Sequence, residues 1–312
     1  MSMTYGELAQ HVNADFTFEN LLALVVNDGE PRRDRTGTGT MSVFAPPHLE
    51  YDLSGGRLAL ITSKRVPWKM ALREFMWMLT GSTSVHHLRQ WSPAMADLWS
   101  LWANKDGDIG PTYGAQYRDA GGSRLQAPHP WDDIDQPAAG VDQLTEVVKR
   151  LLDAPDTRRA VISLWSVPEL RDMALEPCMV LFQFSLRGPK YDQLHLHVYQ
   201  RSADMMLGVP FDLFQASVLA HLVARELTLV SGHQVSAARL VWSAGDVHVY
   251  ANQLAAAREQ LGQALTAEPV RATLKVDPFP SLRLLDSSLE PGHITVENYN
   301  PAPAIDAGKP AV

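Results

Sequence analysis

The chain has 312 residues, 46% of them hydrophobic and 20% charged, and a formal net charge of −8 at pH 7. The hydrophobic fraction is enough for a sizeable core. The negative net charge argues against broad binding to nucleic acids or anionic membranes, so any anion site must be a local pocket. No signal peptide and no uninterrupted apolar run of ~18 residues is found, which predicts a cytoplasmic protein.

Helical spacing of apolar side chains is the main pattern in the first half of the chain. It predicts amphipathic helices over residues 16–28, 72–81 and 142–153. The second of these ends at Gly81, a residue type that suits a helix C-cap. Between the second and third helices, residues 120–141 are irregular and rich in Pro, Asp and Gly, which predicts a loop.

Strand-like runs follow at residues 160–165, 179–186 and 193–201. The last two are joined by RGPKYD, a sequence typical of a hairpin turn. The third run alternates strictly between apolar and polar side chains, which predicts a strand with one buried face.

The last long apolar stretch is residues 213–230, and it is interrupted by His221, Arg225 and Glu226. These interruptions favour a core helix over a membrane span. No internal repeat and no clear linker is found along the chain. The pattern therefore predicts one α+β domain.

Cys178 is the only cysteine, which excludes an intramolecular disulfide and a cysteine-rich zinc site. It lies in LEPCMVLFQ, at the start of a predicted strand, where a lone cysteine is more often core filler than a nucleophile. A nucleophile needs cationic or hydrogen-bonding neighbours that favour the thiolate. Arg201 and Ser202 can supply them if the two strands lie side by side. The spacing leaves both interpretations open.

Four arginines occur in short polar motifs, namely Arg35, Arg158, Arg159 and Arg201. Each one alone is more often a surface or salt-bridging residue. Together they fit a phosphate monoester dianion, because each guanidinium offers a planar fork of donors. Close histidine pairs at 86–87 and 195–197 are more often structural than zinc-binding, and no metal site is predicted.

Four further polar residues lie in largely apolar surroundings. His248 and Tyr250 fall on the same face of an extended segment, where they can bind a sugar hydroxyl or simply fill the core. Glu74, on an apolar helix, is either a structural acid or a general acid/base. Asp212, in MLGVPFDLFQAS, needs a partner because an isolated buried carboxylate costs several kcal/mol or takes up a proton.

These fragments coincide in order and spacing with one family, and the chain resembles a thymidylate synthase from about residue 16 to the C-terminus. The matching motifs are DRTGTGT, SKR, REFMWMLTG, LWSLWANKDGDIGPTYGAQYR, DTRRAVISLW, LEPCMVLFQF, YQRSADMMLGVPFD, GDVHVYANQ and YNPAPAI. The resemblance implies a single α+β domain over 1–312, with a mixed β-sheet packed against helices and one sheet face used for homodimerisation. It also implies an N-terminal extension at 1–15, a variable loop at 120–141 and a closing tail at 299–312.

The resemblance further implies a reaction in which Cys178 adds to pyrimidine C6, so that C5 attacks the one-carbon unit of 5,10-methylenetetrahydrofolate. Glu74 matches the acid/base that moves protons through water, and Tyr113 matches a tyrosine near the nucleophile. The implied nucleotide-binding residues are Arg35, Arg201, Ser202, Gln200, His248 and Tyr250, with Arg158 and Arg159 from the other subunit of a homodimer. The implied folate-binding residues are Trp99, Trp102, Leu175, Asp204 and Gly208.

Two positions depart from the family pattern. Asp212 stands where the synthases have an asparagine that reads the uracil edge, and Met179 stands where they usually have a histidine. An ionised carboxylate only accepts hydrogen bonds, and a protonated one also donates, so Asp212 fits the N4 amino group and N3 of cytosine. The same aspartate is the hallmark of the phage deoxycytidylate hydroxymethylases and of a cytidylate hydroxymethylase from nucleoside-antibiotic pathways, in which water replaces hydride in the last step.

The resemblance therefore predicts a cytidylate 5-hydroxymethylase, with several alternatives open. Ala203 and Ala251 are small residues near the expected sugar site, which slightly favours CMP over dCMP. A cytidylate C5-methyltransferase that keeps the hydride step is the nearest rival, and a dUMP-methylating synthase is less favoured. A catalytically silent nucleotide-binding or RNA-binding dimer is the alternative outside enzymes, and the intact Cys178 and Glu74 argue against it.

Overall fold

The computed structural model describes residues 17–122, 140–277 and 290–308. The helices in these ranges are α1 (Thr17–Asp28), α2 (Trp68–Leu79), α3 (Val85–Trp91), α4 (Pro93–Trp99), α5 (Tyr113–Arg118), α6 (Gln143–Asp153), α7 (Gly208–Ser231) and α8 (Leu254–Ala264). The strands are β1 (Glu30–Arg32), β2 (Thr40–Phe44), β3 (Leu49–Asp52), β4 (Val161–Ser163), β5 (Met179–Arg187), β6 (Gln193–Asp204), β7 (Ser236–Tyr250), β8 (Thr273–Val276) and β9 (Ile294–Glu297). The predicted N-terminal extension, most of the predicted 120–141 loop and the last four residues of the tail lie outside the described residues.

Seven of the described strands form one mixed sheet, in the order β1-β2-β7-β6-β5-β4, with β3 also paired to β7. The β6–β7 pair is parallel and the other pairs in this sheet are antiparallel. Because parallel neighbours need a long crossover connection, helix α7 lies between β6 and β7 in the chain. Strands β8 and β9 form a separate antiparallel pair. The mixed sheet packed against helices confirms the predicted α+β class.

Helix α7 is the central helix of the core. Among the described helices it alone has the length and hydropathy of a membrane span, but 72% of that stretch is buried inside the protein. It begins five residues before the predicted start and ends at Gly232, whose left-handed backbone (φ 70°) closes the last turn. The prediction of a core helix is confirmed.

The predicted boundaries differ from the observed ones at two strands. Strand β4 covers only Val161–Ser163 of the predicted 160–165, although backbone hydrogen bonds to β5 continue at Ala160 and Leu164. The amide side chain of Gln143 bonds both the N–H and the carbonyl of Ser163 at 2.9 and 2.8 Å. Strand β6 continues three residues beyond the predicted end, because β7 pairs with it as far as His248. These extra residues bring Ser202 and Asp204 to the same edge of the sheet.

The two faces of the sheet differ in burial. Along β6, Leu194, Leu196 and Val198 are buried beneath the helices, whereas His197 and Tyr199 between them are exposed on the other face. The predicted alternation of this strand is therefore confirmed. The exposed face is the one that the sequence predicts to be the homodimer contact, and that role stays a prediction.

Candidate active site

A cavity of about 1190 Å³ opens where β6 and β7 end and α7 begins. It gathers side chains from α2, α4, α5, the start of β5 and the C-terminal tail. Thirteen of the predicted site residues line it, namely Glu74, Trp99, Trp102, Tyr113, Leu175, Cys178, Gln200, Ser202, Asp204, Gly208, Asp212, His248 and Tyr250. A single concave site with convergent polar groups is the usual geometry of a small-molecule active site.

Cys178 lies at the floor of this cavity, directly before β5. Its carbonyl accepts a hydrogen bond from the backbone N–H of Arg201 at 2.8 Å, so the two strands do lie side by side. Its own N–H donates to the Tyr113 hydroxyl at 2.9 Å. Burial raises the pKa of the thiol, the charge of Asp212 raises it further, and Arg201 opposes both. The resting thiol is therefore protonated, and forming the thiolate requires a change in nearby charge.

Glu74 projects from α2 into the cavity and is 7% exposed. The indole N–H of Trp99 donates to Oε1 at 2.7 Å, and the amide of Gln215 donates to Oε2 at 2.9 Å. Burial raises the pKa of this carboxyl, whereas the two hydrogen bonds lower it. A buried carboxyl with a raised pKa beside a nucleophile is suited to general acid/base chemistry.

Asp212 faces the same cavity from the second turn of α7. The amide of Gln200 donates to Oδ2 at 2.7 Å, and the Gln200 oxygen in turn accepts from the Trp242 indole at 2.9 Å. No described residue hydrogen-bonds Oδ1 of Asp212. Burial raises the pKa of this carboxyl to about 7, with Gln200 opposing and the charges of Glu74 and Asp204 adding to the rise. Asp212 is thus a carboxyl whose second oxygen is available to a ligand.

His248 and Tyr250 lie next to each other at one end of the cavity, with ring centroids 5.1 Å apart. The prediction that they share one side of an extended strand is confirmed. Asp246 accepts a hydrogen bond from Nδ1 of His248 at 2.9 Å, and this bond holds the pKa of Asp246 below its usual range. A neutral His248 therefore carries its proton on Nδ1, which leaves Nε2 as an acceptor for a hydroxyl.

The four predicted phosphate-binding arginines are not in the cavity lining. Arg201 donates through Nε to the Pro177 carbonyl at 2.9 Å and through Nη2 to the Glu176 carbonyl at 2.8 Å. Arg35 is exposed on the loop before β2, and Arg158 and Arg159 are exposed before β4. Arg201 thus shapes the turn that holds Cys178, and the phosphate roles of all four stay predictions.

The other end of the cavity is apolar and aromatic, and this fits the flat ring system of a folate. Trp99 packs edge-on against Trp102 and Tyr113, each with ring centroids 5.8 Å apart. Asp204 accepts hydrogen bonds from the N–H groups of Met206 and Leu207 at the start of α7.

The C-terminal tail forms part of the cavity wall. The Tyr299 hydroxyl accepts from the N–H of Val66 at 2.8 Å and donates to the carbonyl of Ile61 at 3.1 Å. The N–H of Ala302 donates to the Thr62 carbonyl at 2.8 Å. Residues 304–308 then line the cavity opposite α7.

Sequence reasoning missed several residues that matter for this site. Gln215 contacts Glu74 directly, and its spacing of three from Asp212 on an apolar helix was a usable signal. Lys64 also lines the cavity; burial lowers the pKa of its ammonium to about 8, and Asp204 opposes this. Ala203 is fully buried, Ala251 is exposed, and neither lines the cavity, so the sugar argument from these two alanines stays a prediction.

A cysteine, a buried acid/base and an aromatic wall around one cavity define an enzyme of covalent catalysis on a small planar substrate. Among the described residues, no group of three or more His, Cys, Asp or Glu is placed to hold a metal ion. A sequence model of the family described as thymidylate synthase matches residues 16–311. The chain therefore belongs to the thymidylate synthase family, whose members transfer a folate one-carbon unit to C5 of a nucleotide and are generally dimeric.

Proposed function

We propose that this protein is a cytidylate 5-hydroxymethylase that acts in the cytoplasm. It transfers the one-carbon unit of 5,10-methylenetetrahydrofolate to C5 of a cytidine monophosphate nucleotide, CMP ahead of dCMP, and water completes the reaction. The products are the 5-hydroxymethyl nucleotide and tetrahydrofolate. The observation that carries the proposal is Asp212, an aspartate with one unoccupied oxygen in the cavity that also contains Cys178.

The hydrogen-bonding edge of the base argues for cytosine. Cytosine offers an acceptor at N3 beside the N4 amino donor, whereas uracil offers a donor at N3 beside the O4 acceptor. A protonated Asp212 donates to N3 and accepts from N4, and its raised pKa of about 7 supports that form. Gln200 donates to Oδ2 and so favours the proton on Oδ1. Against uracil this fixed arrangement leaves a buried acceptor facing an acceptor, at a cost of about 1–3 kcal/mol per unpaired group. Such mismatches discriminate substrates in closed pockets.

The protein groups around Cys178 then account for the covalent step. The thiolate of Cys178 adds to C6 of the base, and the negative charge moves to C5 and onto the N3–C4 edge, where Asp212 can donate a proton. Bound methylenetetrahydrofolate supplies a one-carbon unit at the oxidation level of formaldehyde. Glu74 receives the C5 proton through water, and Tyr113 orders the backbone N–H of Cys178.

The last step separates a hydroxymethylase from a methylase. When water adds to the exocyclic methylene carbon of the nucleotide, the C5–C6 double bond re-forms, the C6–S bond breaks and Cys178 leaves as the thiolate, without net oxidation of the folate. Glu74 is the buried base that can take the proton of that water. Met179, where the family usually has a histidine, fits a site that no longer orders water against a uracil carbonyl.

Recognition of the sugar phosphate rests on the other end of the cavity. His248 and Tyr250 place two hydroxyl-binding groups side by side, where they would bind the sugar. Arg35, Arg201 and Ser202 would bind the phosphate, with Arg158 and Arg159 from the partner subunit. The folate would lie against Trp99, Trp102, Leu175, Asp204 and Gly208.

A cytidylate C5-methyltransferase is the nearest rival, because Asp212 selects the base and does not decide the last step. The deciding experiment incubates the protein with CMP, dCMP, UMP or dUMP plus methylenetetrahydrofolate. Product masses and dihydrofolate absorbance are then read together. We expect a cytidylate to gain a hydroxymethyl group with no dihydrofolate signal. A methyl product with dihydrofolate would establish the methyltransferase, and faster turnover of dUMP than of either cytidylate would refute the cytidylate assignment.

A further inference from the structure

Helix α7 presents Asp212 to the cavity and places the buried Gln215 against Glu74, which also lines the cavity. Residues three apart lie on the same side of a helix, so Asp212 and Gln215 point to the same region. The amide nitrogen of Gln215 donates to Oε2 of Glu74 at 2.9 Å and to the carbonyl of Ala71 at 3.0 Å. A backbone carbonyl can only accept, so the Gln215 amide cannot reverse, and its N–H must face Glu74.

Two of the carboxyls that line the cavity, Glu74 and Asp212, receive unequal numbers of donors. Glu74 accepts from Gln215 and from the Trp99 indole, and both of these groups are obligate donors in this arrangement. Among the described residues, Asp212 accepts from Gln200 alone. The charge of Glu74 acts on Asp212, so the two carboxyls titrate as a coupled pair that resists double ionisation. In such a pair, hydrogen bonds to a carboxylate stabilise its charged form, so the carboxyl that receives more donors ionises first.

We propose that Gln215 is a positioning residue that keeps Glu74 as the ionised member of this pair and so leaves the proton on Asp212. The inference rests on the proposed function in one respect, that the proton on Asp212 reads N3 of cytosine. Gln215 thereby becomes a determinant of base specificity without touching the base. The same arrangement removes a negative charge from beside Cys178, which favours its thiolate.

Other charged and titratable groups around the pair act on both members without replacing Gln215. Asp204 on β6 adds negative charge near Asp212 and is itself offset by Lys64 and His248. The remaining titratable groups that face the pair are Tyr113 and Tyr117 on α5 and Cys178 before β5. Burial raises the pKa of each of these three groups, so all three are neutral in the resting site.

The test is Gln215→Met, which keeps the length of the side chain and removes the donor. Carboxyl carbons of Glu and Asp are labelled with carbon-13, and their signals are assigned with Glu74→Gln and Asp212→Asn. Titration by NMR then follows the proton in the free enzyme. We expect Glu74 to hold its proton about one pH unit higher and Asp212 to lose its proton about one unit lower than in the parent. The ratio of kcat/KM for cytidylate over uridylate should fall about tenfold.

Gln116→Met is the matched control. Gln116 also donates to a backbone carbonyl, that of Pro111, and to a buried carboxylate, that of Glu169, both at 2.8 Å, and it lies outside the cavity lining. Its loss should leave both cavity titrations unchanged. Trp99→Phe removes the other donor to Glu74, and it should move the two titrations in the same direction as Gln215→Met even if that variant folds poorly.

The outcomes separate the two proposals. Unchanged titrations in both Gln215→Met and Trp99→Phe would overturn the role of Gln215, and cytidylate turnover by the parent would then still support the proposed function. Titrations that shift as expected in an enzyme that prefers uridylate would support the proton assignment and refute cytosine reading. Equal shifts in Gln116→Met would overturn the inference, because they would reflect general loss of buried polar contacts.

Discussion

The buried carboxyl of Asp212 lowers the free energy of unfolding as the pH rises, although the proposed function needs it to recognise the base. Its pKa in the folded protein is about 7, against ~3.9 for an unfolded aspartate. Between these values the folded form keeps a proton that the unfolded form has lost. The free energy of unfolding therefore falls as the pH rises from about 4 to about 7, and the contribution of this proton is absent above that range. Retaining a destabilising carboxyl is typical of residues kept for function.

Replacement of this residue tests the recognition argument. In Asp212→Asn the amide offers a donor and an acceptor without a titratable proton, so preference should shift from cytidylate toward uridylate by about 10- to 100-fold. In the parent, kcat/KM for cytidylate should fall as the pH rises through about 7, because the proton that reads N3 is lost. Competition assays with mixed nucleotides across pH 5–9 measure both effects.

The control for this replacement is Asp246→Asn at the sugar end of the cavity. It removes the carboxylate that orients His248, so all four nucleotides should lose activity while the base ratio stays constant. An unchanged base preference in Asp212→Asn would remove the central argument for cytosine.

Single site residues could be predicted where they stand out from the rest of the sequence. Asp212 stands out because every residue around it is apolar or small, and Cys178 because it is the only cysteine. The contacts of the donors that set their ionisation were not predictable, although the spacing of Gln215 from Asp212 marked Gln215 as a residue of interest. Gln215 reaches Glu74 across 141 positions of sequence, and Trp242 reaches Gln200 across 42. Such pairs are fixed by tertiary packing and leave no local pattern.

Among the structural elements, the segment 61–66 and the C-terminal tail form one unit in the cavity wall, at the end proposed to bind the folate. A single hydroxyl, that of Tyr299, bonds the N–H of Val66 and the carbonyl of Ile61. Burial raises the pKa of this hydroxyl to about 12, so it stays protonated and can donate at any physiological pH. The tail is therefore attached to the cavity wall by a neutral contact that is insensitive to pH.

Removing this hydroxyl should loosen the tail without disturbing the nucleotide end of the site. Tyr299→Phe leaves two backbone groups unpaired, at about 1–3 kcal/mol each, so the tail should be displaced more often. We expect the KM for methylenetetrahydrofolate to rise about 3- to 30-fold and the Kd of the nucleotide to stay nearly constant. Steady-state kinetics and nucleotide titration calorimetry measure the two quantities.

Tyr191→Phe is the control for Tyr299→Phe, because it removes the same hydroxyl from a tyrosine outside the tail. Tyr191 is 42% exposed in the turn between β5 and β6. It should behave as the parent in both measurements. A Tyr299→Phe enzyme with an unaltered folate KM would show that this contact does not hold the tail over the folate.

The periodicity of apolar residues predicted the presence of helices and strands better than it predicted their ends. The alternation of β6 and the helical spacing of α6 follow from burial of one face, which the sequence records directly. At the edge strand β4, the side chain of Gln143 bonds Ser163 where a further strand would otherwise pair. No local signal distinguishes that glutamine from an exposed one.

At the scale of the whole molecule, two exposed features of the single chain bear on how a dimer would form. His197 and Tyr199 are exposed on one face of the sheet with respect to the described part of the chain, and Arg158 and Arg159 are exposed before β4. A two-fold axis through this face would bring the arginines of each subunit toward the other subunit, in keeping with a family that is generally dimeric. The predicted sharing of arginines supplies a direct test.

Two inactive variants should complement each other when mixed. Cys178→Ala lacks the nucleophile, and the double variant Arg158→Ala with Arg159→Ala lacks the shared arginines. In a mixed dimer one site combines an intact cysteine with intact arginines from the partner. Random reassembly after mild denaturation should restore roughly a quarter of the wild-type activity per chain. Activity that stays at the level of the separate variants would place the arginines in their own subunit's site or outside any site.

Because the tail forms part of the cavity wall, the wall is synthesised in two stages. A nascent chain presents Glu74, Cys178, Asp212 and His248 well before residues 299–308 emerge. Since domains take shape during synthesis, the part of the cavity that the earlier elements build can form on the ribosome while its remaining wall is still missing. The wall is thereby completed only once residues 299–308 have been synthesised, and a message cut short before codon 299 would yield a protein with an open cavity.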